Sequence, residues 1–315
     1  MKFTHINVHN VHELIPPWAI DPFILSKHLD GLFLTESGAR LAPTGAALYQ
    51  PLPFWVEVNV NTTPQTVRVC TPDNSVNLSG RLILICRSVA NELAQIDVPL
   101  NPIFKGYDRI EGKYSVYLHS FQTETPIGYV GMTKQRWFNR YAQHISSART
   151  GSPYLFHRAI REHQGCEILH KVFVCELDHS NALECEEEWV GMFGLYPLGL
   201  NMIPGGKAGF AYLSKLGLQA KTSEERDASL ERLSACESLE GRTNPLCAAR
   251  WESDPSFAER VICGHSSRLS VAQIQLIRLG ASFGKSVEQL TLESAALNSR
   301  QVKNLVSGRT YQRIK

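Results

Sequence analysis

The chain has 315 residues, of which 43% are apolar and 20% charged, with a formal net charge of +2. That is an ordinary globular composition with room for two or three domains, and it excludes collagen-like and intrinsically disordered classes. So small a charge does not by itself announce a nucleic-acid partner, and any basic surface must be local. The eight cysteines are scattered without a disulfide-like pattern, which fits reduced thiols in a cytosol. The first residues, Met1 to Asn7, lack the apolar run of a signal peptide, and no stretch approaches ~20 uninterrupted apolar residues. The expected location is the cytoplasm or the nucleoid, with no secretion and no membrane partner.

Residues 1–110 read as an accessory α+β module. His5, His9 and His12 fall at helical spacing, which fits the polar face of a short helix or loop better than a metal site. His12-Glu13 is not followed by the second histidine of a zinc-protease motif. Phe54 to Val60 and Thr66 to Cys70 alternate as half-buried strands joined by a turn, and Leu82 to Cys86 is a continuous apolar run typical of a buried strand. A short helix is expected over Ser88–Ala94, followed by a proline-containing connection from Val98 to Pro102.

Residues 111–210 carry the chemistry. Tyr114 to Tyr117 and Tyr129 to Gly131 read as the strands of a hairpin, joined by a polar connection containing Pro126 and Gly128. Thr133 is expected to cap a helix over about Gln135–Ala148, on which Arg136, Arg140 and His144 share one stripe. Phe138, Tyr141, Ile145 and Ala148 form its apolar face. A helix near Tyr154–Gln164, a strand over Cys166–Glu176 and a helix over Ala182–Phe193 follow. In that last helix Glu186 shares the apolar stripe of Leu183, Val190 and Phe193, whereas Glu184, Glu187 and Glu188 are free to face water. A carboxylate on a buried face needs a cation or hydrogen bonds to offset its desolvation.

These motifs resemble the GIY-YIG nuclease family. Ser115-Val116-Tyr117 stands where the family has GIY, with serine in place of the first glycine, and Tyr129-Val130-Gly131 matches YIG. Arg140 with His144 matches the helical arginine and the histidine four residues on, and Glu186 matches the metal-binding glutamate. Gly199-Leu200-Asn201 with Pro204-Gly205-Gly206 matches the closing segment. The resemblance covers the middle third of the chain. It implies an α+β fold whose core is a small antiparallel sheet flanked by helices, and a divalent-metal-dependent endonuclease acting on double-stranded DNA. In its terms the catalytic set is Tyr117, Tyr129, Arg140, His144, Glu186 and Asn201.

The chemistry assigns roles within that set. Tyr117 is the expected base, because a divalent metal and an arginine beside a phenol favour its phenolate. Planar Arg140 suits the scissile phosphate. A lone carboxylate, Glu186, suits Mg²⁺ or Mn²⁺, of which Mg²⁺ keeps most of its waters. Tyr129 and His144 are expected to orient water or phosphate, and Asn201 to brace the site. The alternative reading, core tyrosines and a surface arginine, has to account for all of these at once.

Residues 211–268 read as a helical linker region with an exposed helix over Lys221–Leu233. Cys236, Cys247, Cys263 and His265 could be assembled into a zinc site, but their spacing matches no C-x-x-C pattern, so small apolar cysteines are the preferred reading. Residues 269–315 resemble a helix-turn-helix segment. Ser270 and Ser286 are expected to cap helices at Val271 and Val287, and a further helix spans Arg300–Val306, with Leu290, Leu297, Val302 and Leu305 spaced to pack together. From residue 300 on there are five basic residues and no acidic one. Arg300, Gln301 and Asn304 are candidates for base edges, and Lys303, Arg309 and Arg313 for phosphates, beside Arg136 in the nuclease-like segment. The functional expectation is a restriction- or homing-type endonuclease, acting as a homodimer where both strands are cut. A structure-specific repair nuclease and a non-catalytic DNA-binding protein are the alternatives.

Overall fold

The computed structural model describes residues 6–33, 55–70, 80–88, 92–104, 106–219, 222, 225, 228–233, 244–263 and 268–314. The chain divides into two compact units, Met1–Thr150 with Phe156–Phe210, and Gly151–Leu155 with Ala211–Lys315. The architecture is mixed α+β, and the first unit is built on one seven-stranded sheet flanked by helices.

The alternating runs form strands as their patterns require. β1 (Trp55–Asn59) buries Val56 and Val58, β2 (Thr66–Cys70) pairs with it antiparallel, and β3 (Arg81–Arg87) buries Leu82, Leu84 and Cys86. The helix expected over Ser88–Ala94 is not found at the described residues of that range. Strand β4 (Leu93–Pro99) begins inside that range, and Ser88 N donates to Glu92 O at 2.8 Å to close a β3–β4 hairpin. Ala94, Ile96 and Val98 alternate on its buried face, a period of two obscured by Pro99. That proline ends the strand, where a missing N–H is tolerated.

The hairpin of β5 (Tyr114–Phe121) and β6 (Ile127–Thr133) is as expected, and β7 (Ile168–Leu177) pairs with β5 through two register slips. The full order is β2-β1-β3-β4-β7-β5-β6, parallel at β1–β3 and β4–β7 and antiparallel elsewhere. The small antiparallel sheet expected from the sequence is therefore one end of a larger mixed sheet. The strands on either side of residue 110 share it.

An ion cluster crosses the parallel β4–β7 seam. Arg81 Nε donates to Asp97 Oδ1 at 2.6 Å, and its terminal nitrogens donate to the carbonyls of Asp97, Val172 and Phe173. Lys171 Nζ lies 3.2 Å from the other Asp97 oxygen. Asp97 is buried, so its charge depends on these two cations.

Six helices accompany the sheet in or from this unit: α1 (Val8–Leu14), α2 (Pro22–Phe33), α3 (Trp137–Arg149), α4 (Leu155–Glu162), α5 (His179–Trp189) and α6 (Gly206–Lys215). α2 had no sequence expectation, although Leu25, Leu29 and Phe33 mark its buried stripe. Tyr117 and Phe121 of β5 pack with Trp137, Phe138, Phe156 and Ala159 of α3 and α4, whereas Val116 packs with Val130 and Val190. The period of two thus places α3 and α4 on one face of the hairpin and α5 on the other. α1 is tied down by Asn10, whose side-chain nitrogen donates to Pro102 O and Asp108 O, and by Trp137 Nε1, which donates to Leu14 O at 2.8 Å. His9 pairs with Glu111 at 3.2 Å, and His5 lies outside the described residues.

The second unit is helical where described. Beyond residues 228–233 it contains α7 (Pro245–Ser253), α8 (Pro255–Ile262), α9 (Val271–Ser282), α10 (Val287–Glu293) and α11 (Ser299–Val306). Ser270 and Ser286 cap α9 and α10 with full capping boxes, as their positions before the apolar runs imply. Gly280 lets α9 approach α10, since a Cβ there would stand 2.4 Å from a Leu290 methyl. Leu290, Val302 and Leu305 are buried together, but Leu297, expected among them, is 69% exposed in the turn. Cys247 and Cys263 are buried in the same apolar cluster, and Cys236 and His265 lie outside the described residues. Among the described residues no three His, Cys, Asp or Glu side chains gather to hold a metal, and no helix is long and apolar enough to cross a membrane.

Replacing Asp97 by alanine strands two cations at the β4–β7 seam and is expected to cost about 3–5 kcal/mol. The double variant Arg81→Met/Asp97→Leu removes both charges of the closer pair and should cost far less. Urea unfolding of the three proteins checks this, and equal losses for the two variants would show that the ion cluster is not what secures the seam.

Candidate active site

The site is built along the outer edge of β6. An edge strand presents unpaired backbone groups that must be satisfied. Leu200 N donates to Gly128 O at 2.8 Å. Asn201 accepts from Val130 N at 2.9 Å and donates to Val130 O at 2.8 Å. Glu186 Oε1 accepts from Met132 N at 3.0 Å, and its other oxygen accepts from Gly206 N at 3.1 Å. Residues 128, 130 and 132 point their backbone groups the same way, so one edge orders both Asn201 and Glu186. Asn201, expected to brace the site, is buried, and its amide copies the pairing of a neighbouring strand.

Glycines permit the close approaches. A Cβ at Gly131 would meet the Tyr117 hydroxyl at 2.8 Å, so the glycine of the second motif makes room for the tyrosine of the first. Gly206 has φ +55°, and a Cβ there would lie 2.1 Å from Leu183 O. These two positions explain, in steric terms, why glycine follows the strand tyrosine and why a glycine pair closes the segment.

Glu186 is half-buried, as its place in the apolar stripe requires. Burial raises its pKa above the ordinary carboxylate value, and the backbone N–H donors at Gly206 and Met132 offset only part of that rise. Glu187 does not simply face water, contrary to expectation. Its Oε2 accepts from Ala208 N at 2.9 Å, which fastens the first turn of α6, and Glu184 pairs with Lys207 at 2.9 Å. Each Glu186 oxygen accepts one backbone hydrogen bond and keeps lone-pair capacity for a cation. A single such carboxylate fits an ion that retains most of its water, as Mg²⁺ does.

The other side chains converge from separate elements. Arg140, on α3, is near enough to Tyr117 for its charge to act on the hydroxyl. Its Nη1 donates to Gln143 Oε1 at 2.9 Å, and Gln143 bonds Gln135 in turn. Tyr117 is 1% exposed. Burial, then Tyr129, lift its pKa well above the ordinary value, Glu186 adds to this, and Arg140 opposes it. Arg140 thus acts in the expected direction on the phenolate but is outweighed. Tyr129 is pushed up to about 12, first by burial and then by Glu186. Its ring stacks on Phe156 at 4.4 Å.

His144 is held down to about 3 by burial, then by Arg140 and His157. It is a neutral imidazole whose Nδ1 lies 2.9 Å from His157 Nε2. His157 carries no motif signal; only its place on the buried side of α4 marks it. Thr133 does not cap α3, whose N-cap is Arg136, but its hydroxyl accepts from Gln135 N at 3.1 Å in the turn before the helix. Arg136, expected near DNA, pairs in this structure with Glu13: Nε and Nη2 donate to Glu13 Oε1 at 3.0 and 2.7 Å.

In the helical unit Arg300, Lys303 and Arg309 are exposed, and Gln301 and Asn304 are half-buried. Arg313, expected to reach a phosphate, lies over the Trp251 ring at 5.0 Å while remaining exposed. Arg278 donates to the carbonyls of Tyr311 and Ile314, which holds the C-terminal turn against α9. No protein-family model, no curated protein and no solved structure matches the chain.

Proposed function

We propose that the chain is a divalent-metal-dependent endonuclease that hydrolyses phosphodiester bonds of double-stranded DNA, with a GIY-YIG-like site and a helix-turn-helix reader formed by α10 and α11. The observation that carries this reading is the convergence of Tyr117, Tyr129, Arg140 and Glu186. They come from two strands and two helices, yet each tyrosine's proton affinity is set in part by both Arg140 and Glu186. A phenol pair, a guanidinium and one half-buried carboxylate supply what hydrolysis of a phosphate diester requires.

Arg140 binds the scissile phosphate and neutralises charge as it develops. Tyr117 and Tyr129 are protonated phenols in the free protein and donate hydrogen bonds to water or phosphate. Tyr117 serves as base once positive charge gathered at the site lowers its pKa. Glu186, with Asn201 holding β6 beside it, would bind Mg²⁺ or Mn²⁺. That ion, when bound, polarises the phosphate and stabilises the leaving oxygen. Exposed Arg300, Lys303 and Arg309 give the helical unit a local basic surface suited to phosphates. Sequence-directed cleavage of the restriction or homing type follows from joining such a reader to the site.

The carboxylate is tested first. Glu186→Gln is expected to abolish Mg²⁺-dependent plasmid cleavage while DNA binding by gel shift and the circular dichroism spectrum persist. Glu187→Gln keeps an acceptor for Ala208 N and should stay active, whereas Glu187→Ala should cost about 0.5–2 kcal/mol of stability through the loosened helix start. An active Glu186→Gln protein would remove the metal role.

Turnover tests the rest of the site. Tyr117→Phe should lower the rate by ~10²–10⁴-fold. Because burial raises the Tyr117 pKa, the wild-type rate should climb with pH through the alkaline range, and Tyr117→Phe should lose that climb. Arg140→Lys keeps the charge but loses the planar two-pronged contact, so it should also fail. Near-normal turnover by Tyr117→Phe at saturating Mg²⁺ would assign the proton acceptor elsewhere.

Reading is separated from cutting in the second unit. Lys303→Ala should weaken binding evenly across sequences and reduce the salt slope by about one. Gln301→Ala should relax preference at one or two base pairs, worth ~1–3 kcal/mol of discrimination. Selection of bound sites from a random pool measures both, and unchanged affinity and preference in both variants would move specificity away from α11.

A further inference from the structure

Two pairs of buried histidines sit in the aromatic layer formed by β5, β7, α3 and α4. In the first, the Nδ1 atoms of His119 and His170 are 2.9 Å apart, enclosed by Tyr117, Trp137, Tyr141 and Phe156. The second pair includes a residue of the candidate site. His144 Nδ1 and His157 Nε2 are 2.9 Å apart, and the two residues are 6% and 8% exposed. A hydrogen bond between two neutral imidazoles holds one proton, and its position decides whether the far nitrogen of each ring donates or accepts.

The far nitrogen of His144, Nε2, is buried and has no hydrogen-bond partner among the described residues. The ring stands 5.2 Å from that of Tyr129, one helical turn after Arg140. With the shared proton on His157, His144 Nε2 would carry a buried N–H with no acceptor, in the field of the Arg140 guanidinium. An orphaned nitrogen costs desolvation in either tautomer, so the guanidinium decides: it repels the positive end of an N–H. With the proton on His144 Nδ1, Nε2 is a bare lone pair, which the same guanidinium favours. Among the described residues, Arg140, Arg161, Tyr129 and His119 are charged or titratable neighbours of the pair, and none of these four is a carboxylate.

We propose that His157 is a positioning residue that accepts the Nδ1 proton of His144 and thereby presents His144 Nε2 to the site as a hydrogen-bond acceptor. Such a nitrogen orients a water, which can donate to it, and not an ionised phosphate oxygen, which cannot. This narrows the choice left open for His144. The inference rests on the hydrolysis reading only for its effect on rate; the tautomer follows from the geometry of the pair.

The test is ring-nitrogen NMR on the full chain labelled in histidine, with His144 and His157 identified by their glutamine variants. His144 is expected as the Nδ1–H tautomer. His157→Leu should release it to the Nε2–H form, and His157→Gln, whose amide oxygen accepts the same proton, should retain it. In DNA cleavage with Mg²⁺, His157→Leu should lower kcat by about 10–100-fold with KM unchanged, the usual cost of losing a partner that orients a reacting group. His157→Gln should recover most of that loss. An Nε2–H tautomer for His144 in the wild type overturns the proposal, as does an unchanged tautomer in His157→Leu. If His157→Leu does not fold, the wild type and His157→Gln decide. A wild-type chain that cleaves no DNA sinks the hydrolysis reading and leaves the tautomer to be judged separately. Cleavage by a chain with Nε2–H at His144 sinks this inference alone.

Discussion

The outer edge of β6 is the constraint on which the candidate site depends. Its backbone groups at Gly128, Val130 and Met132 are met by Leu200, Asn201 and Glu186 and not by another strand. Leaving them unmet beside a packed helix would cost a desolvated hydrogen bond at each position. The same bonds therefore settle where the Glu186 carboxylate stands and how the segment from Gly194 to Gly206 folds back. Asn201 N reaches Gly194 O at 2.8 Å, and a Cβ at Gly194 would meet the Asn201 side chain at 2.8 Å, so backbone and side chain lock one turn together. The carboxylate is held by two backbone donors that belong to elements 74 residues apart in number, Met132 and Gly206. Its geometry is a property of the folded unit and not of helix α5 alone.

Behind this edge the layer is buried, and its titratable groups are held towards their neutral forms. Two tyrosines resist ionisation, and the histidines nearest them resist protonation, each chiefly because burial disfavours the charged form. Fixed charge comes from Arg140 and Glu186 at the margin of that layer. An incoming phosphate would meet one guanidinium anchored by Gln143 and a set of neutral groups whose protons are placed by neighbours. In so apolar a setting each added charge acts over a longer range than it would in water.

Much of this was legible in the sequence where a local rule suffices. Alternation placed β1 and β2, a continuous apolar run placed β3, a Pro- and Gly-containing connection between two apolar segments placed β5 and β6, and serine ahead of an apolar run placed α9 and α10. The helical period separated Glu186 from its four acidic or thiol neighbours in the run from Glu184 to Glu188. Where partners are distant the signal failed. β4 was hidden because Pro99 and the helix-favouring residues before Leu93 outvoted a strand whose pairing lies with β3 and β7. Glu187 seemed free because its donor, Ala208 N, is a backbone atom that no side-chain pattern marks. The pairing of Arg136 with Glu13 had no signal because the two are 123 residues apart. Leu297 had the spacing of a core residue, but the turn between α10 and α11, with Ala295 at φ +50°, directs it outward.

Because side chains and a loop close β6, the sheet has one finished margin. Its other margin, β2, has no further strand beside it among the described residues. Any chain that extended this sheet would join at β2, six inter-strand spacings or about 29 Å from β6. The candidate site at β6 and the β2 margin thus stand at opposite ends of one sheet. Strand addition at the far end would leave Tyr129 and Glu186 undisturbed.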